Sequence, residues 1–283
     1  MDKVIVAVNT ERHGNEHSAL EWAIVRARET AMTLEILTVL PRRGAPDEAR
    51  RALERIAGVT RARVPEVPVT VSVRRGPVAD VLLSVSRRAD LLVVESTPVG
   101  AVSGVVLGTL ALRIAGRAQC TVAVVPRGWV DGPSDVVVGW TDDETADRAL
   151  DRAGREAAHR GGALTIVTSW TEAFGHDRAV AAEFYDVTKE VAENAADRVR
   201  RAHPGVPVEL ALESGSAAEA IVDRGRSSGL VIVGTHGRGA LGSLILGSTS
   251  HDVILNLPAP VLVVPAPGGP ITVLPEILDE ELL

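Results

Sequence analysis

Cysteine is nearly missing. Cys120 stands alone in 283 residues, which excludes an internal disulfide framework and any multi-cysteine zinc site, and fits a reducing compartment. Aromatic residues are also scarce, with two Phe, one Tyr and four Trp, so a base-stacking nucleic-acid surface has little to be built from. No run approaches the ~20 uninterrupted apolar residues of a membrane span; the longest candidate, 101–112, is closed by Arg113. The chain opens Met1-Asp2-Lys3 and enters a strand-like run without a basic, then apolar, leader. The expectation is a cytoplasmic protein with no membrane and no nucleic acid among its partners. Neither G-x-x-x-x-G-K-[ST] nor G-x-S-x-G occurs, which removes the P-loop NTPases and the standard α/β-hydrolases.

What is present is an aliphatic core, since 46% of residues are hydrophobic, mostly Ala, Val and Leu, against 24% charged. The net charge of −7 hides an asymmetry: residues 1–133 hold 18 Lys+Arg and 14 Asp+Glu, whereas 134–283 hold 12 and 23. Arginines gather at Arg42, Arg43, Arg50, Arg51, Arg55, Arg61 and Arg63. Without interleaved aromatics they read as a solvated helix and loop.

The chain repeats itself. Val4–Val8 matches Val136–Trp140, Ala19–Leu40 matches Ala149–Trp170, Val69–Thr97 parallels Val208–His236, and Gly104–Pro126 parallels Ser243–Pro265. The offset drifts only from 130 to 139 residues, so a whole domain is duplicated, far longer than a solenoid unit. In the second copy, strands are expected at Val136–Trp140, Leu164–Ser169, Val208–Leu212, Leu230–Gly234 and Val261–Val264, and helices at about 144–160, 178–202, 216–228 and 247–257. Val136–Val138 and Leu230–Val233 are continuously apolar, as strands covered on both faces must be. Thr141-Asp142-Asp143-Glu144 offers caps for the first helix and Ser214 or Ser216 for the third; Pro258 and Pro260 stop the last.

Alternation of this kind specifies two tandem α/β domains, each a doubly wound parallel sheet of the Rossmann-like type. They are expected at 1–127 and 135–266, joined by a linker at 128–134 and followed by an acidic tail at 267–283. The last strand of each copy follows strand four and falls at a sheet edge, where an open apolar strand invites pairing.

In doubly wound sheets ligands sit beyond the carboxyl ends of the strands. There the second copy reads GTHGRGALGSLILGSTS from Gly234 to Ser250. Gly234 and Gly237 permit close approach of main-chain N–H groups to an anion, and Gly247-Ser248-Thr249 opens a helix whose free N–H groups suit a phosphate. The same glycines also suit an ordinary strand-to-helix turn with Ser/Thr capping.

This pattern, on this order of strands and helices, resembles the ATP-binding branch of the universal stress protein family over about 260 residues. The resemblance implies a five-stranded sheet of order 3-2-1-4-5 in each copy, akin to the adenine-nucleotide α-hydrolases, and ATP, with or without Mg²⁺, or another adenine nucleotide as ligand. It places Val233, Gly234 and Gly237 on the phosphate and ribose side, Gly247, Ser248 and Thr249 at the triphosphate, and Gly139, Trp140 and Thr141 at adenine and ribose. His236 and Arg238 stand within the same loop. Thr141 occupies the position where nucleotide-binding members usually carry Asp, with Asp142 and Asp143 following. The same resemblance implies that the open edge strands pair between domains, so intramolecular pairing of the two domains is expected, with a further homodimer of such protomers.

The first copy departs further. Glu95 and Pro98 replace the early glycines, and Asn9 stands at the Asp position. Glu95 would set negative charge against phosphate and Pro98 lacks an N–H, so this copy is expected to act as a structural or dimerising partner.

Other signals carry less. Gly237–Gly242 matches G-x-G-x-x-G but follows a fourth strand, out of context for a dinucleotide fold. The seven histidines show no metal-ligand spacing. His251 is expected at the surface and Cys120 as a small buried hydrophobe. Trp140 is open between stacking on adenine and lying in the core. With phosphate donors but no evident general base, the expectation is a nucleotide-responsive stress or regulatory binding module, with no catalytic residues and an unidentified protein partner. The alternatives are a slow ATPase or nucleotidyl transferase using the same pocket, and a nucleotide-free interaction protein.

Overall fold

The computed structural model describes residues 3–10, 17–42, 44–96, 109–170, 178–235 and 246–267. In the first half, strands β1 (Lys3–Ala7), β2 (Thr33–Leu40), β3 (Val69–Arg75), β4 (Leu91–Ser96) and β5 (Thr121–Pro126) alternate with helices α1 (Ser18–Thr30), α2 (Pro46–Arg63), α3 (Val78–Val85) and α4 (Thr109–Ala115). The second half repeats the order with β6 (Val136–Gly139), β7 (Leu164–Trp170), β8 (Val208–Ser214), β9 (Leu230–Gly234) and β10 (Val261–Val264), and α5 (Glu144–Arg160), α6 (Arg178–Ala202), α7 (Ala217–Gly225) and α8 (Ser248–Asn256). Each half has the expected 3-2-1-4-5 order, but the two are not separate sheets. One ten-stranded sheet runs β3-β2-β1-β4-β5-β10-β9-β6-β7-β8. Its strand pairs are parallel within each half, and β5 meets β10 antiparallel.

Each helix follows from local chemistry. In α5, Ala146, Ala149, Leu150, Ala153 and Ala157 recur at helical spacing and are all buried, small residues that let the helix sit close to the sheet. The Asp143 side chain caps the helix by accepting from the Ala146 N–H at 2.9 Å, and Gly161, left-handed at φ 67°, ends it. Ser216 caps α7 in the same way, accepting from the Glu219 N–H at 3.3 Å. Pro46 starts α2 where its missing N–H is harmless.

Two core layers cover the sheet, and each is continuous across both halves. One contains the inner faces of α1, α2, α5 and α6; the other contains α3, α4, α7 and α8. Cys120 lies in the second layer, where burial pushes its thiol up to about 12; it is the inert hydrophobe expected. The 128–134 segment is tied down at both ends: the Gly128 N–H donates to Ser18 Oγ at 2.8 Å, and Arg160 donates to the Pro133 carbonyl at 2.8 Å.

A pseudo-two-fold axis passes between the halves. In the β5–β10 register Ala123 faces Leu262, which is its own counterpart in the repeat, with Val122 facing Val263 and Val124 facing Val261. Directly over that point α1 meets α5. Ala31 and Gly161 close these helices in the same left-handed conformation, returning to the carbonyls of Ala27 and Ala157. One residue before each of those stand Arg26 and Glu156, again counterparts, and they form a buried ion pair with each other. Arg152, one turn earlier on α5, also holds Glu156 at 2.6 Å. Burial lowers the pKa of Arg26 from its ordinary value while Glu156 pulls the other way. A pair of this kind adds little net stability over apolar packing, but removing one member leaves a buried charge. At a symmetric homodimer axis the same residue would meet itself; here duplication has placed opposite charges face to face.

A second buried carboxylate pins the opposite end of the first half. Glu35 on β2 is held by Arg88 through two bonds of 2.6 and 2.7 Å, and by Lys3 at 3.4 Å. Burial alone would raise its pKa, yet the Arg88 contacts and the Lys3 charge outweigh burial and bring it to about 2.

Two outcomes are expected. Glu156→Arg places three cations at the axis and should cost about 3–5 kcal/mol, lowering the melting temperature; adding Arg26→Glu should restore much of the loss. Because the folded pKa of Glu35 lies below its unfolded value, its contribution is complete above the unfolded value near 4.5 and fades as pH falls toward 2. Glu35→Gln should therefore cost about 2–3 kcal/mol at neutral pH, and in denaturant titrations the difference from the parent should shrink across that acid window.

Candidate functional site

In the second half the expected residues converge at the carboxyl ends of β6 and β9 and the start of α8. These two strands are neighbours, so Gly139 lies beside Val233. Beyond them the Thr235 N–H donates to the Val264 carbonyl at 2.9 Å, and the Gly247 N–H donates to the Thr235 carbonyl at 2.7 Å. The Ser250 hydroxyl donates to the Gly234 carbonyl at 2.6 Å. This clip fixes the first turn of α8 over the end of β9. Gly247 is the N-cap and, lacking a side chain, offers no cap of its own to the N–H groups of the first turn. Ser248 is exposed at that end and Thr249 half-buried. The arrangement presents oriented donors and a positive helix end, which is the chemistry of anion capture.

The base side is different. Trp140 is 7% exposed and belongs to the core layer of α5 and α6, with its indole N–H donating to Asp147 Oδ1 at 3.0 Å. Burial raises the pKa of the Asp147 carboxyl, but hydrogen bonds from Arg198 and Trp140 outweigh it and leave the pKa lowered. Of the two readings left open for Trp140, this geometry matches the core. Gly139 has a packing reason: a Cβ there would lie 2.5 Å from Ile221 Cδ1. Gly234 has one too, since its Cβ would lie 2.8 Å from Thr145 Cγ2. Both glycines admit a neighbouring side chain. Thr141 is half-buried and its carbonyl accepts from the Asp143 N–H at 2.8 Å. Asp143 caps α5. His236, Gly237 and Arg238 lie outside the described residues. His251 is at the surface, beside Asp252 at 3.2 Å.

Sequence reasoning missed a cavity in the first half. About 400 Å³ opens at the carboxyl ends of β1, β2 and β4, bordered by Ala7, Val8, Asn9, Leu82 and Glu95 among others. By register these are the counterparts of Gly139, Trp140, Thr141, Ile221 and Gly234. Glu95, flagged as a departure, was the available signal.

Known proteins fit this architecture. A model described as the universal stress protein family matches residues 1–126 and 134–265. A universal stress protein of Mycobacterium tuberculosis is 27% identical over 276 residues, covering 93% of this chain and 96% of the relative. Another from the same organism is 30% identical over 189 residues, and that match spans 64% of this chain and 64% of the relative's own length. Among solved structures, a universal stress protein from Archaeoglobus fulgidus superposes with a TM-score of 0.68 at 19% identity, over 93% of this chain and 98% of that one. A Pseudomonas aeruginosa protein described as functionally unknown gives 0.70 at 16% identity, over 93% and 92%. At such identities the structural likeness speaks for the fold.

The packing account of Gly139 has a direct check. Gly139→Ala should destabilise the protein by about 1–3 kcal/mol through overpacking. Ile221→Ala in the same chain should make the alanine at 139 nearly neutral, as a thermal or denaturant double-mutant cycle would read.

Proposed function

Because the chain belongs to the universal stress protein family through both of its halves, we propose that it is a tandem nucleotide-responsive binding module whose second half holds ATP. One observation carries this reading: the first turn of α8, opened by an N-cap glycine without a side chain and clipped by Gly247 and Ser250 to the end of β9. Its N–H groups, with the Ser248 and Thr249 hydroxyls, suit the phosphates; Gly139 and Val233 would form the wall on the nucleoside side. ATP would supply the negative charge that the α8 terminus is built to meet, bringing any Mg²⁺ on its own phosphates. The same resemblance places Gly237 on the phosphate and ribose side, with His236 and Arg238 beside it in the sequence. Domain boundaries at 1–127 and 135–266, and a homodimer of whole chains, remain part of the proposal.

Binding rather than turnover is the proposed role. The donors at α8 stabilise a bound anion in its ground state, and no side chain at the described part of the crevice is placed as a base for an attacking water. A change in nucleotide occupancy would act through the α8–β9 clip, which is continuous with the β10 strand at the centre of the molecule.

Calorimetry of the full chain with ATP, ADP, AMP and cyclic AMP tests the reading. One site per chain is expected, with hydrolysis far below the ~1–10³ s⁻¹ of dedicated enzymes. Ser248→Asp separates binding from folding: a carboxylate at a helix N-terminus should hold or raise stability by about 0.3–1 kcal/mol. The same charge should weaken ATP at least tenfold. Undiminished ATP binding by that variant would remove α8 from the site.

A further inference from the structure

The antiparallel β5–β10 pairing reverses strand direction between the halves, so strands of the first half start at the end where those of the second half finish. The segment between α4 and β5 therefore lies at the same end of the sheet as the start of α8, and the two are in contact. A Cβ at Gly116 would lie 3.3 Å from the Leu246 backbone nitrogen and 3.4 Å from its Cβ. Leu246 immediately precedes Gly247, the N-cap of α8. The bare backbone at Gly116 thus lets the end of α4 abut the start of α8. Arg117 comes next, one step of about 3.8 Å along the chain. Its position is fixed, because the N–H groups of Arg117 and Ala118 donate to the Ile114 carbonyl at 3.1 and 2.9 Å.

The Arg117 side chain is half-buried, and its Nε is shielded from water with no hydrogen-bond partner. Such a group calls for an explanation in a folded protein. Arg113, one turn earlier, is by contrast paired with Asp80 at 2.7 Å. In the repeat the counterpart of Arg117 is Asn256, which is neutral and donates to the Asp252 carbonyl at 2.8 Å. The counterpart of Gly234 is Glu95. At these two positions the copies have diverged in one sense: the second-half crevice gains a cation from across the junction and carries no carboxylate, whereas its first-half equivalent has the carboxylate and no cation.

We propose that Arg117 completes the second-half site from the first half, as the cation that holds the terminal phosphates of a nucleoside di- or triphosphate. The proposal deepens the ATP reading and rests on it. In the order β5-β10-β9-β6 the nucleoside wall at Gly139 lies on β6, while Arg117 precedes β5. Helix α8 touches α7 on one side and α4 on the other, so the guanidinium meets the end of the phosphate chain remote from the base. Its planar fork matches two phosphate oxygens at once. One nucleotide then touches both halves, and the number of its phosphates is read where they join.

Calorimetry of the full chain with ATP, ADP and AMP, on the parent and on Arg117→Gln, tests this. The parent should bind ATP more tightly than AMP. Arg117→Gln should weaken ATP roughly tenfold or more, leave AMP unchanged and melt no lower than the parent. Arg117→Lys should keep part of the ATP affinity, since the charge remains without the fork. Asn256→Arg, which adds the same cation at the counterpart position, should leave ATP binding unaltered. Direct contact is read from the Arg117 Nε–H signal in NMR spectra, identified by its loss in Arg117→Lys; it should shift with ATP and not with adenosine. Equal ATP affinity in the parent and Arg117→Gln, or equal losses for ATP and AMP, would overturn the proposal and leave the ATP reading standing. A parent that binds no nucleotide would overturn both.

Discussion

Everything in this molecule is arranged around one antiparallel contact, the pairing of β5 with β10. Both strands are valine-rich and buried on both faces, so either would be an apolar edge without the other. The pairing makes one sheet of what the chain encodes as two. It brings α1 against α5 on one side of the sheet and α4 against α8 on the other. The two core layers are continuous for the same reason: side chains at Ala123 and Leu262 belong to one layer, while Val122, Val124, Val261 and Val263 belong to the other. The clip that orients α8 hangs from the end of this strand pair, through Thr235 and Val264.

Much of the fold was legible because it depends on local signals. The α5 and α6 boundaries follow from apolar spacing and from residues that start and stop helices; β9 and β10 follow from unbroken aliphatic runs between turns. Strand order followed from the family resemblance, and so did the pairing of edges, together with the position of the last strand. What stayed hidden depends on how side chains from distant segments fill space. Gly139 and Gly234 look alike in sequence whether a phosphate or a side chain approaches them, and only the positions of Ile221 and Thr145 separate the cases. Trp140 is equally ambiguous until Asp147 is seen to hold its indole. The first-half cavity leaves no motif, because the residues that border it come from segments far apart in the sequence.

The two halves have diverged unevenly. Backbone devices persist: Gly76 and Gly215 both turn at positive φ before α3 and α7. At the α1 and α5 termini the conformation persists while the residue has changed, Ala31 accepting at φ 53° a geometry that Gly161 adopts freely. Side chains at the strand ends are where the copies part. A fused pair permits this, since a substitution appears once in the assembly and need not suit both clefts, nor meet itself at the axis. Arg26 opposite Glu156 is an arrangement that no symmetric dimer of a single domain could hold.

The central strand pair also has a consequence in time. During synthesis β5 is complete at Pro126, but β10 begins at Val261. At about 5–20 residues per second, roughly 7–27 s pass between them. For that interval the first half can fold with its apolar edge exposed on the ribosome, when another emerging chain offers the same valine strand. The fusion that supplies each edge with a tethered partner thus also creates a delay before that partner exists. A slow stretch of translation before β5 would lessen the exposure little, whereas one between β5 and β10 would lengthen it directly.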